Sequence, residues 1–165
     1  MRGIVIEKIT VNMGVGEAGE KLENAKTLLN RLTGMKAVEA KARVRNPVFK
    51  IKKGDSIGAK TTLRKRRAEE FLKRAFSAVD GKLKSNSFDR QGNFSFGIRE
   101  YIDFPGIKYD PKIGILGFDV CVTLGRKGSR VSLRKRGRAK IGKRHRVTAD
   151  EAKAFLEEKF GVSFI

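Results

Sequence analysis

Apolar and polar residues alternate one for one near the start of the chain, where Ile9, Val11 and Met13 alternate with Lys8, Thr10 and Asn12. That period of two predicts a strand over residues 4–13 with one buried and one wet face. A helical spacing takes over at 20–33. There Leu22, Ala25, Leu29 and Leu32 form one stripe, and Gly34 supplies a C-terminal stop. Residues 36–45 read as a second strand, closed by a turn at Asn46-Pro47. A third strand fits 59–65. The strongest helical pattern covers 66–80, with Ala68, Phe71, Leu72, Ala75, Phe76 and Val79 on one side and Gly81 as its end. Turn formers crowd 85–93, and Phe94–Ile98 reads as a strand. Over 116–124 the alternation returns: Phe118, Val120, Val122 and Leu124 face in, while Asp119, Cys121 and Thr123 face out. Thr148 and Glu151 have the spacing of a capping box. The helix they open is expected to bury Ala152, Phe155 and Leu156 and to close at Gly161.

Alternating strands favour an antiparallel sheet with one open face, and the helices would cover the other. The pattern therefore predicts an α+β fold: a single domain over 1–165, a mostly antiparallel sheet with helices packed on one face, and long basic loops at about 43–57 and 126–146. No apolar run approaches the roughly 18 residues of a membrane span, so no membrane partner is expected. The one cysteine, Cys121, excludes an internal disulfide and fits a cytoplasmic chain. On a strand, a buried or half-buried thiol is the default for it.

Charge changes the picture most. The net charge of the 165 residues is +20. Residues 41–67 carry 11 Lys/Arg and one acid, Asp55, and residues 126–146 carry 11 Lys/Arg and no acid. The remaining 117 residues sum to −1. Two dense blocks on a neutral body predict two footprints for a polyanion. Left unneutralised, the second block would repel itself strongly; phosphates would neutralise it and release counterions. Its Arg126, Lys127, Arg130, Arg134, Lys135, Arg136, Arg138, Lys143, Arg144 and Arg146 are candidate RNA anchors. RNA is favoured over DNA because no helix-turn-helix, zinc finger or dimeric basic helix is visible.

Candidate chemistry is sparse, and no catalytic residue, metal site or cofactor is expected. Gly14-Val15-Gly16-Glu17-Ala18-Gly19 matches the dinucleotide fingerprint, with Glu39 near the position of a ribose-binding acid. The strand before it alternates, however, whereas a Rossmann first strand is buried on both faces. A nucleotide-dependent oxidoreductase is thus the weaker alternative, and an unselective RNA chaperone a third reading. Gly54 to Thr61 resembles a Walker loop with the wrong spacing. His145, the single histidine, lies inside a basic run and reads as a solvated or RNA-facing side chain.

Three strings carry a specific resemblance. Ile9-Thr10-Val11-Asn12-Met13-Gly14-Val15-Gly16-Glu17-Ala18, Ile57-Gly58-Ala59-Lys60-Thr61-Thr62-Leu63-Arg64 and Ser87-Phe88-Asp89-Arg90-Gln91-Gly92-Asn93-Phe94-Ser95-Phe96-Gly97-Ile98 together resemble large-subunit ribosomal protein five, the 5S rRNA-binding family. The likeness covers nearly the whole chain. The stretch from Gly125 to Arg146 resembles the archaeal and eukaryotic branch, without a bacterial-type N-terminal helical extension.

That resemblance implies a protein that holds 5S rRNA in the central protuberance, beside large-subunit rRNA and neighbouring ribosomal proteins, including the other 5S-binding protein. It points to Asn12, Met13, Gly14, Thr62 and the Asn93 region for 5S contact. It also implies that the loop at about 43–57, with Arg43, Arg45, Asn46, Lys50, Lys52 and Lys53, reaches peptidyl-site tRNA. The residues agree chemically. Thr10 and Asn12 fall on the open sheet side, where hydroxyl and amide can meet bases or 2′-hydroxyls. Arg64 and Arg90 can fork to phosphate oxygens.

Overall fold

The computed structural model describes residues 2–17 and 19–165. Alternation at the start becomes strand β1, Ile4–Gly14, whose Ile9, Val11 and Met13 are buried while Thr10 and Asn12 are half-exposed. The alternation slips once. Ile6 is also buried, and Glu7 and Lys8 are both half-exposed between it and Ile9.

Helix α1, Glu20–Thr33, buries Leu22, Ala25, Leu28, Leu29 and Leu32. Gly34 ends it in the left-handed conformation, where its N–H donates to the Asn30 carbonyl. Strand β2 is only Val38–Lys41, shorter than the 36–45 expected from sequence. It pairs antiparallel with β3, Ser56–Leu63, and a register shift falls between Ala40 and Lys41. Helix α2, Lys65–Ser77, buries Ala68, Phe71, Leu72, Ala75 and Phe76. It stops before the expected Asp80, because Asp80 and Gly81 both take positive φ. Val79 therefore lies outside the helix.

Strands β4 (Lys82–Leu83), β5 (Phe94–Ile98) and β6 (Phe118–Arg126), helix α3 (Ala149–Phe160) and β7 (Ser163–Phe164) complete the order. The main sheet runs β2-β3-β1-β6-β5, and the two short strands β4 and β7 form a parallel pair. The frame is α+β, as the alternation predicted.

The chain gathers into two units. One comprises the stretch to Ile9 with Arg64–Phe96 and Cys121–Ile165; the other comprises Thr10–Leu63 and Gly97–Val120. Strands β1 and β6 contribute residues to both. In the first unit Phe76 of α2 stacks on Phe94 and Phe96 of β5, and Phe160 of α3 meets Phe76 edge-on. Such aromatic pairs add about 0.5–1.5 kcal/mol beyond the area they bury. The α3 capping box forms as its spacing predicted, although Phe155 is only half-buried. In the second unit α1 packs on β3. There Gly58 allows an unusually close approach: a Cβ at this position would lie 2.5 Å from the Met13 carbonyl oxygen.

Candidate nucleic-acid interface

The first basic loop is a hydrogen-bonded hairpin. Its base closes where the Ala42 N–H donates to the Asp55 carbonyl (2.8 Å) and the Gly54 N–H donates to the Ala42 carbonyl (2.9 Å). Nearer the tip, Asn46 and Ile51 exchange backbone bonds across Pro47–Lys50. The Asn46 side-chain oxygen accepts from the Val48 N–H, so this asparagine shapes the turn. Arg43, Arg45, Lys50, Lys52 and Lys53 are all exposed. Val48 and Phe49 are 84% and 70% exposed at the same tip, an apolar point within a cationic ring.

In the same unit, β1 and β3 are neighbours in the sheet. Thr10, Asn12 and Thr62 alternate with buried residues and take the side away from the core. Gly14 is exposed at the strand end. Met13 is 2% exposed, so it belongs to the core and offers little surface to a partner.

Glu39, the acid that the glycine fingerprint would have used, is committed elsewhere. It accepts from Lys26 Nζ and from Ser56 Oγ, both at 2.5 Å. The Lys26 hydrogen bond, then that from Ser56, holds its carboxyl below the usual carboxylate range. Lys26 is raised in turn by its bonds to Glu23 and Glu39. Ala18 of the fingerprint lies outside the described residues. The Glu39 cluster staples α1 to β2 and β3, which leaves that acid no ribose to hold.

In the other unit, residues 89–93 form a turn around Asp89. Its Oδ1 accepts from the N–H groups of Gln91 and Asn93, both at 2.8 Å, and its Oδ2 accepts from Asn93 Nδ2. The Asn93 side-chain oxygen in turn accepts from the Leu124 N–H at 3.2 Å. Both ends of this amide are thus occupied within the fold. Arg90, at the tip of the turn, is exposed. Arg64 is also exposed, with one long contact of 3.4 Å from its guanidinium to the Glu7 carbonyl.

The second basic segment folds back on itself through two short helical turns, Ser129–Ser132 and Lys143–His145. Arg134 Nε donates to the Gly137 carbonyl and Arg138 Nε to the Ser132 carbonyl. Half-buried His145 bonds through Nε2 to the Lys127 carbonyl at 3.1 Å, so it is a loop staple rather than a freely solvated ring. Arg126 is a different kind of residue from its neighbours. Its side chain is 10% exposed, and one guanidinium nitrogen donates to Glu151 Oε1 at 2.7 Å while another donates to the Arg144 carbonyl at 3.2 Å.

Glu151 is held below the usual carboxylate range, first by the Thr148 N–H and then by Arg126. Lys127, Arg130, Arg134, Lys135, Arg136, Arg138, Lys143, Arg144 and Arg146 are exposed and, among the described residues, have no acidic partner. The same unit holds Lys8, Gln91 and Lys140 around a cavity beside this segment. The sequence marks none of the three as an RNA contact; Lys8, on the wet face of the β1 alternation, and Lys140, in the second basic block, were the available signals. Cys121, on β6, is exposed rather than buried.

The candidate residues thus divide between the units. Thr10, Asn12, Met13, Gly14, Thr62 and the 43–53 cations share one. Arg64, Arg90, Asn93 and the 126–146 cations share the other. No described helix is long and apolar enough to cross a membrane, and no described cluster of His, Cys, Asp or Glu has the makings of a metal site.

An α+β frame carrying two exposed cationic segments defines a strongly basic protein with little acid to balance it. Comparison with known proteins narrows the class. A family model described as ribosomal protein L5 matches residues 1–52, and a second model, describing the C-terminus of the same ribosomal family, matches residues 56–164. Large ribosomal subunit protein uL5 of Sulfolobus acidocaldarius is 50% identical over 165 residues, covering 100% of this chain and 93% of the relative. Those of Pyrobaculum aerophilum and Cenarchaeum symbiosum are 50% and 47% identical, covering 98% and 100% of this chain and 90% and 98% of the relatives. The chain belongs to the ribosomal protein L5 family, and its resemblance is to the archaeal type. This is a family of structural constituents of the large ribosomal subunit, not of enzymes.

Proposed function

We propose that this protein binds 5S rRNA in the central protuberance of the large subunit and reaches peptidyl-site tRNA through its 43–57 hairpin. The 126–146 segment anchors it to large-subunit rRNA, and its protein neighbours include the other 5S-binding protein. Family membership supports the ribosomal setting in the cytoplasm. The observation that carries the RNA reading is the set of exposed cations from Lys127 to Arg146 without acidic partners among the described residues. Such a density is relieved when phosphates replace small counterions. Selectivity falls to Thr10, Asn12 and Thr62, polar groups on the outer side of neighbouring strands, because phosphate contacts position while base contacts specify.

Filter binding of 5S rRNA against an unrelated RNA of equal length, across a salt series, tests this. Affinity for 5S rRNA is expected to be the higher and to fall steeply with salt. A flat salt dependence removes the phosphate-anchoring reading. Equal affinity for the two RNAs replaces it with an unselective RNA chaperone.

A further inference from the structure

Within the first unit, the 126–146 segment, β6 and the Lys8 end of β1 enclose an open cavity of about 520 Å³. That is within the ~300–1,000 Å³ of small-ligand sites. Its lining has three parts. Leu133 and Ile141 give an apolar wall, and Leu133 is 70% exposed. Gln91 and Thr123 give hydrogen-bonding groups whose side chains have no partner among the described residues. Lys8, Lys140 and Arg146 give positive charge that no described carboxylate pairs.

Each part answers a different piece of one ligand. The apolar wall accepts the face of a base. An amide and a hydroxyl meet its edge, as proteins read bases that have left the stack. The cations meet a phosphate. The Arg126 side chain, 10% exposed and already bonded to Glu151, also lines the cavity. Glu7 is the only carboxylate in the lining, and it disfavours a highly charged guest such as a triphosphate.

We propose that this cavity takes one unstacked nucleotide of a bound RNA, a site additional to the sheet face and the hairpin. The proposal rests on the RNA-binding reading above. An RNA-borne nucleotide is favoured over a free one because the cations outside the cavity then meet the flanking phosphates.

Two hairpin RNAs, identical except for a single bulged 2-aminopurine, test it with the full chain, alongside free AMP. The wild type is expected to bind the bulged hairpin about tenfold more tightly and to change the 2-aminopurine fluorescence. Thr123→Trp fills the cavity without altering charge, and Gln91→Leu removes the amide should the first variant fail to fold, as read by circular dichroism. Either is expected to abolish the preference while leaving affinity for the fully paired hairpin unchanged. Equal wild-type affinity for the two hairpins overturns the cavity proposal and leaves RNA binding intact. A preference that survives both variants overturns the assignment to this cavity. AMP bound as tightly as the bulged hairpin overturns the RNA-borne source. Loss of salt-dependent binding to both hairpins overturns the RNA reading itself.

Discussion

Arg126 and Glu151 meet at 2.7 Å, joining the end of β6 to the first turn of α3. The arginine counted from sequence among the RNA anchors is therefore an internal tie that also holds the Arg144 carbonyl.

Arg126→Met should lower stability by about 1–3 kcal/mol, because it leaves the Arg144 carbonyl and part of the Glu151 carboxylate without a donor. Lys135→Met, on the exposed side of the same segment, should leave the melting temperature unchanged and weaken RNA binding modestly. Thermal melts followed by circular dichroism, paired with RNA titrations, check the contrast. Equal melting temperatures for the two variants would refute the tie.

Acidification should destabilise the fold. Glu39, Asp110 and Glu151 are each held below the ordinary carboxylate value, by Lys26, Arg31 and the Thr148 N–H respectively as the leading causes. A carboxyl with a lower folded than unfolded pKa binds fewer protons when folded. Its stabilisation is complete above the unfolded pKa and is lost as pH falls through the folded one. Melting temperature should be level near neutrality and drop below the usual carboxylate range. Glu39→Gln should flatten part of that drop.

Gly58→Ala should cost about 1–3 kcal/mol, since the added Cβ would press on the Met13 carbonyl. Gly142→Ala meets nothing within 4 Å and serves as the control. Chemical denaturation of both variants measures the difference.

Asp89→Ala should destabilise by about 1–3 kcal/mol, because it removes the acceptor for two backbone N–H groups and the Asn93 amide. Arg90→Ala, one residue on, should leave the melt unchanged and lower RNA affinity. If Asp89→Ala melted like the wild type, the turn would not depend on that carboxylate.

Asn12→Ala should weaken 5S rRNA binding more than Lys53→Ala does. The asparagine is on the outer side of the sheet, and the lysine is on the hairpin assigned to tRNA. The reverse order in a 5S titration would dissolve that division of labour.

Where periodicity is set by burial, the chain was readable. β5 falls at Phe94–Ile98 as read, and the α3 capping box forms between the residues whose spacing announced it. The misreadings have local causes. Val79 continues the helical spacing of α2, but the positive φ of Asp80 and Gly81 turns the backbone away first. β3 begins at Ser56, ahead of the expected 59, because Gly58 is a packing residue inside the strand rather than a loop glycine. The β4–β7 pair is two residues long on each side, too short for any pattern. At the candidate site, residue type revealed charge but not commitment. Arg126, Asn93 and Glu39 looked available in sequence, and only three-dimensional contact reveals partners 25, 31 and 13 residues away.

The discontinuous make-up of the two units has a consequence for synthesis. The unit holding the 43–57 hairpin, Thr10, Asn12 and Thr62 is complete once residue 120 has been made. The other needs Cys121–Ile165, including β7 to pair with β4. A chain made from its N-terminus therefore contains every residue of the polar sheet face before the densest cationic segment has been added. The groups proposed to select 5S rRNA, Thr10, Asn12 and Thr62, are thus synthesised before the 126–146 cations proposed to anchor the protein.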